Sequence, residues 1–246
     1  MKVFSATSVS PYLAEKFISY GVDPKKISII GNGVNLIKDQ SLDKSILREK
    51  LSISKDETIC ISVGNSYGES FEVMIEAFSK ASQKNSNIKL YLLGKIFKDG
   101  FTSKKIEKVI KQNRELFLSK VQILGHVPYE DYYNYLRVAD MCILPMEKNL
   151  NDVARFPIRI GDYIQFKLPI VSNAVGVIEY ILKKYNYGLV CDVGDTDGFA
   201  ENILRCSLNP SSFSSENIAN DIFKNELDWK NHGLKILKIL REAQNS

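Results

Sequence analysis

Three charged side chains stand close together in the stretch ARFPIRIGDYIQFKLPIVS, residues 154–172: Arg155, Arg159 and Asp162. On a helix their i, i+4, i+7 spacing places all three on one side. Pro157 suits the first turn of such a helix, because its missing N–H would be unpaired there. Phe156, Ile160, Tyr163 and Ile164 supply a stripe to bury. Arginine near a helix start opposes the dipole, at a cost of about a few tenths of a kcal/mol. An anionic ligand reverses that cost, and a guanidinium such as that of Arg159 can grip a phosphate with two N–H groups. One turn further in, the carboxylate of Asp162 can accept hydrogen bonds from the vicinal hydroxyls of a sugar. A purely intrahelical Arg159–Asp162 pair at i, i+3 is the alternative, and the local pattern leaves both readings open.

A second set of candidates follows short apolar runs: Gly64, Asn65 and Ser66 in VGNSYGES, Gly94 and Lys95 in LLGKIFKDG, Gly125 and His126 in ILGHVPYED, and Glu147 in LPMEKN. A glycine just past a strand lets the backbone turn sharply and lets a ligand approach. Three at equivalent positions carry more weight than any one. VGNSYGES has neither the G-x-G-x-x-G spacing nor a phosphate-loop lysine. It still opens onto a helix start, whose free N–H groups suit an anion, and Asn65 and Ser66 add neutral hydrogen-bonding groups. His126 reads as a solvated loop residue or a ligand contact, and Glu147 as a site carboxylate or a surface charge. The tyrosines of YEDYYNYLRVAD, at helical spacing, read as packing.

These residues need a sheet to position them. TICISV (58–63), IKLYLLG (88–94), KVQILG (120–125), MCILP (141–145), PIVS (169–172) and YGLVC (187–191) are continuous apolar runs, as expected for parallel strands covered on both faces. Helical patterns alternate with them: ESFEVMIEAFSKAS, TSKKIEKVIKQNRELF, YEDYYNYLRVAD and DGFAENILRCSL. The order predicts a doubly wound α/β domain, which binds ligands beyond the carboxyl ends of its strands. Residues 1–36, with strand patterns KVFS and ISII around a helix PYLAEKFISYG, are too few for a core of their own; GNGVN (31–35) reads as a hinge or linker. The main domain is expected over 37–225 and an amphipathic helix over 226–246, with Trp229, Leu234, Leu237 and Leu240, or Ile236 and Leu240, on its apolar face.

Composition narrows the function. The 246 residues carry 33 basic and 29 acidic side chains, a net charge of +4, which does not argue for nucleic acid. Two histidines, and four cysteines without C-x-x-C spacing, argue against a zinc site and for buried thiols in a reducing compartment. No secretory leader pattern and no apolar run of about 20 residues is visible. The expectation is a cytoplasmic protein, with peripheral association at the inner face of the membrane through a partner left open.

FPIRIGDYIQFKLPIVS followed by YGLVCDVGDTDGFAENI resembles the C-terminal half of GT-B-fold glycosyltransferases of the family-4 type. VQILGHVPYEDYYNYLRVADMCILP upstream fits the same order, and VFSATSVSPYLAEKFISYGVDPKKISIIGNGVN resembles the end of such an enzyme's N-terminal domain with its linker. The resemblance implies a nucleoside-diphosphate sugar as donor, no bound cofactor or metal, and retention of configuration at the transferred sugar. It assigns Asp162 to the ribose, Arg159 and the helix start to the diphosphate or sugar, the backbone at Gly125 and His126 to the base, and the Gly64 loop to the phosphates. Two positions depart from the pattern. Ala154 stands where many relatives carry an acid eight residues before the ribose carboxylate, with Asp152 near but at another spacing. The Gly64 loop lacks the usual Arg and Lys, for which Arg155 and Arg159 are the expected substitutes. The acceptor-binding domain of the family is nearly absent. The leading expectation is therefore the donor-binding part of a glycosyltransferase, needing a separate acceptor domain or a homo-oligomer. The alternative is a non-catalytic interaction subunit that partners an acceptor-binding chain.

Overall fold

All six apolar runs become strands of one parallel sheet. The computed structural model describes residues 4–37, 43–64, 70–95 and 101–244, with side chains from 104 in the last span. Two short strands come first, β1 (Ala6–Ser8) and β2 (Ile27–Ile29), paired in parallel and joined through helix α1 (Pro11–Ser19). Ser10 caps α1 by accepting the Leu13 N–H, and Pro11 occupies the first turn. Half of the expected KVFS strand, residues 2–3, lies outside the described residues; Phe4 and Ser5 are not strand, and pairing with β2 begins at Ala6.

After α2 (Lys44–Lys50) the main sheet begins: β3 (Thr58–Val63), α3 (Ser70–Lys84), β4 (Ile88–Leu93), α4 (Phe101–Gln112), α5 (Arg114–Ser119), β5 (Val121–Gly125), α6 (Tyr129–Val138) and β6 (Met141–Leu144). It continues with α7 (Leu150–Ala154), α8 (Arg159–Gln165), β7 (Ile170–Asn173), α9 (Gly176–Tyr185), β8 (Leu189–Cys191), α10 (Thr196–Leu208), α11 (Glu216–Ile222) and α12 (Trp229–Gln244). The strand order is β5-β4-β3-β6-β7-β8, all parallel. The chain winds outward from β3 to β5, returns to the middle, and winds the other way from β6. The reversal lies between β3 and β6, where the carboxyl ends of the strands open a crevice.

Alternate residues of each strand feed two cores. Ile59 and Ile61 of β3 face one side with Leu136, Val138, Ile160, Tyr163, Ile164, Ile178 and Ile222. Cys60 faces the other with Phe71, Met74, Ile75, Phe78, Phe199 and Ile203. Both faces are thus covered, which is why the strands are apolar throughout. Cys60, Cys142 and Cys206 are buried free thiols; burial raises Cys60 and carries Cys206 to about 12, so they act as small hydrophobes.

The GNGVN segment lies tight against the main domain. The Val34 N–H donates to Leu227 O at 2.9 Å, and the Val34 side chain packs where a Cβ on Gly161 would meet it at 2.0 Å. A Cβ on Gly33 would meet the Trp229 ring at 2.5 Å. Along α12 only His232 is buried; Leu234, Leu237 and Leu240 are about half exposed or more, at 56%, 49% and 54%. The apolar face expected on this helix exists and is left open. No helix among the described residues is long and apolar enough to cross a membrane.

Candidate functional site

The loop after β6 is built more tightly than its polar sequence suggests. Asn173, 2% exposed at the end of β7, accepts the Met146 N–H on its Oδ1 at 3.1 Å. Asp152, 8% exposed in α7, accepts the Glu147 N–H on Oδ2 at 2.8 Å. Asn149 caps α7 by accepting the Asp152 N–H at 2.9 Å, and its Nδ2 donates to Glu147 Oε2 at 2.9 Å. Glu147 Oε1 accepts the Ser70 N–H at 2.7 Å, at the amino end of α3. Two buried side-chain acceptors therefore hold the backbone at 146 and 147, and α3 and Asn149 hold the Glu147 carboxylate.

This loop borders a cavity of about 300 Å³ lined by Ser70, Val73, Met146, Glu147, Lys148, Asn149, Asn173, Val193 and Gly194. The lining comes from the ends of β6 and β7, the start of α3 and the turn after β8, at the carboxyl edge of the sheet. Its position follows from the strand order.

Asp162 sits apart from this cavity, in α8, whose Ile160, Tyr163 and Ile164 pack on the face of the sheet opposite α3. Its Oδ2 accepts the Tyr132 hydroxyl at 2.9 Å. Burial raises the Asp162 carboxyl above its ordinary value of 3.8, opposed by the Tyr132 hydrogen bond and by the Arg159 charge. Burial likewise raises Tyr132 far above the usual phenol range, so it stays a donor. Asp162 keeps acceptor capacity beyond the one bond from Tyr132.

The expected single face of Arg155, Arg159 and Asp162 does not form. α8 begins at Arg159, not in the turn of Pro157, and Arg155 is an extended residue ending α7. Proline disfavours helical backbone in the residue before it, here Phe156, which separates the two helices. The guanidinium of Arg155 pairs with Asp152 Oδ1 at 2.7 Å and lies 3.6 Å from Met146 Sδ. The proposed Arg159–Asp162 ion pair is absent; Asp162 takes Tyr132 instead. The Pro157 turn is partly covered by the chain itself: Asn32 Nδ2 donates to Phe156 O at 3.2 Å, and Gly31 packs on the Phe156 ring. None of Arg155, Arg159 and Asp162 lines the cavity.

Gly94 and Gly125 both adopt positive φ, +98° and +67°, and the Gly94 N–H donates to Gly125 O at 2.6 Å. These turns let β4 and β5 end side by side at the edge. A Cβ on Gly125 would meet nothing within 4 Å, so its turn faces open space. Lys95 and His126 are exposed at the same edge, and the Gly64 N–H donates to Leu93 O at 2.9 Å. Asn65 and Ser66 lie outside the described residues. Among the described residues, Glu147 is the one predicted residue placed in the cavity wall. Sequence reading missed Lys148, Asn149, Asn173 and the clamp through Asp152; only the acidic spacing near Asp152 hinted at it. Among the described residues no three metal-ligating side chains cluster.

Known proteins supply an independent comparison. A glycosyltransferase from Rickettsia africae ESF-5 superposes with a TM-score of 0.78 at 19% identity, covering 98% of this chain and 64% of that one. Anabaena Alr3699/HepE, solved with UDP, gives a TM-score of 0.78 at 17% identity over 98% and 64%. Sucrose-phosphate synthase from Thermosynechococcus elongatus gives 0.74 at 19% over 97% and 58%. This chain thus spans 58–64% of the length of these structures. The likenesses show the fold of GT-B glycosyltransferases. No curated protein is significantly similar in sequence. Residues 43–224, most of the chain and all six strands of its main sheet, match the glycosyl transferases group 1 family, and the chain belongs to that family.

Proposed function

We propose that the carboxyl edge of the sheet binds a nucleoside-diphosphate sugar and that the chain forms the donor side of a glycosyl transfer. The observation that carries this is the cavity beside the β3/β6 reversal, walled by a fixed carboxylate, a lysine and two amides. Family membership supports transfer of a sugar. Alr3699/HepE, of like fold, has been solved with UDP-glucose. In this reading Asp162 accepts the ribose hydroxyls, and the turns at Gly94 and Gly125, with Lys95 and His126 beside them, flank the base. The cavity takes the diphosphate and the sugar. The acceptor hydroxyl oxygen bonds to the sugar's anomeric carbon as the bond from that carbon to the phosphate oxygen breaks. The hydroxyl proton leaves with the nucleoside diphosphate, directly or through solvent. Retention of configuration comes from the resemblance. In this reading a separate domain or a second copy holds the acceptor.

Thermal denaturation with UDP-, GDP- and ADP-sugars tests the reading. A donor at 100 times its dissociation constant adds about 2.7 kcal/mol. For a chain of this size that raises the melting temperature by about 5–10 °C. No shift with any donor contradicts it and favours a non-catalytic subunit. That second reading draws on Ala154 at the place of the family acid and on the open apolar face of α12.

A further inference from the structure

The resemblance leaves one charge unaccounted for. The usual Arg and Lys after the first main strand are missing from GNSYGESF, and a diphosphate in a partly enclosed cavity needs a cation. Of the two expected substitutes, Arg155 is spent on Asp152 and Met146. Arg159 does not line the cavity. Lys148 does, as the one cationic side chain of its wall among the described residues, and it is exposed.

We propose that Lys148 is the cation that holds the donor's diphosphate. The proposal rests on the donor-binding reading above and adds a binding residue to it. Lys148 makes no ion pair among the described residues. Its neighbour Glu147 is turned to the Ser70 N–H and the Asn149 amide and forms no ion pair with it. The backbone just before Lys148 is fixed by Asn173 and Asp152, both buried, so the lysine springs from a positioned loop. A flexible ammonium on a fixed stem suits a diphosphate that arrives with the donor and departs as the leaving group. The Asp152–Arg155 pair then serves as the brace of this loop.

Calorimetric titration of the wild-type chain, Lys148→Ala and Lys148→Arg with UDP, GDP and ADP, and with uridine, guanosine and adenosine, tests the assignment. Lys148→Ala is expected to weaken the diphosphate that the wild type binds by about ten- to a hundredfold, the range of a charge-assisted hydrogen bond. The matching nucleoside is expected to bind unchanged, and Lys148→Arg to restore affinity to within about threefold. An unchanged diphosphate-to-nucleoside ratio in Lys148→Ala overturns the assignment and leaves the donor reading standing. A ratio that collapses in Arg155→Ala instead also overturns it. Failure of the wild type to bind any of the six compounds overturns both.

Discussion

Asp162 is a carboxylate whose placement costs stability. Burial raises its pKa, so the folded chain holds a proton at pH values where the unfolded chain has released it. Stability therefore falls as pH rises from the ordinary 3.8 through the raised folded value, and stays lower above it. Asp162→Asn removes this dependence and keeps an acceptor for Tyr132. The variant is expected to be at least as stable as wild type at pH 7 in urea unfolding, with a flatter stability profile in the acid range. Its nucleoside-diphosphate affinity should drop about tenfold or more, as a charged acceptor of hydroxyls is lost. A variant that loses stability at pH 7 and keeps its affinity would show a structural carboxylate. The ribose candidate was legible because its neighbours Phe156, Ile160, Tyr163 and Ile164 mark a buried helix face. The partners of the three charges were not. Tyr132 reaches Asp162 across 30 residues, and Asp152 captures Arg155 at i, i+3 at the end of α7. Lys148, in a polar loop, carried no local pattern at all.

At the scale of elements, the strands were readable because parallel strands buried on both faces are continuous apolar runs. Residues 58–63 agree with β3 at both ends, and the other five agree within two residues. Helices were harder. TSKKIEKVIKQNRELF reads as one helix because its apolar spacing runs on, yet it divides at Asn113, whose side-chain amide bonds back to Val109 O. α9 was not anticipated: it opens at Gly176 with positive φ, followed by the β-branched Val177 and Ile178, weak helix signals. The GNGVN segment reads as a hinge because glycine breaks local structure, but its own Gly31 and Gly33 and its neighbour Gly161 use the absent Cβ for close approach. Gly161 against Val34 is the sharper case. Gly161→Ala should cost about 1–3 kcal/mol by overpacking, and Val34→Ala in the same chain should recover part of that loss. A double-mutant cycle from denaturant unfolding measures the coupling. Additive effects would mean that the segment does not rest on α8.

The whole molecule places its chemistry where its winding reverses. The strand order brings the ends of β3 and β6 together, and no local stretch of sequence shows that adjacency. The doubly wound class followed from alternating runs and helices; the cavity required the order of the strands. The small β1–β2 unit packs through α1 on α7 and α9, α12 packs on residues 223–227, and the leucines of α12 remain open to solvent. In an account where the acceptor is held elsewhere, that surface is free for the protein that holds it. The central claim concerns one place, the carboxyl edge beside β3 and β6, and amide chemical-shift mapping addresses it directly. Titrating the isotope-labelled chain with UDP, GDP and ADP should move the amides of Ser70, Glu147, Lys148, Asn149 and Gly194 with one of the three, while those of α4 and α12 stay still. Shifts confined to α4, α12 or the amino ends of the strands, or no shift with any of the three, would contradict the account.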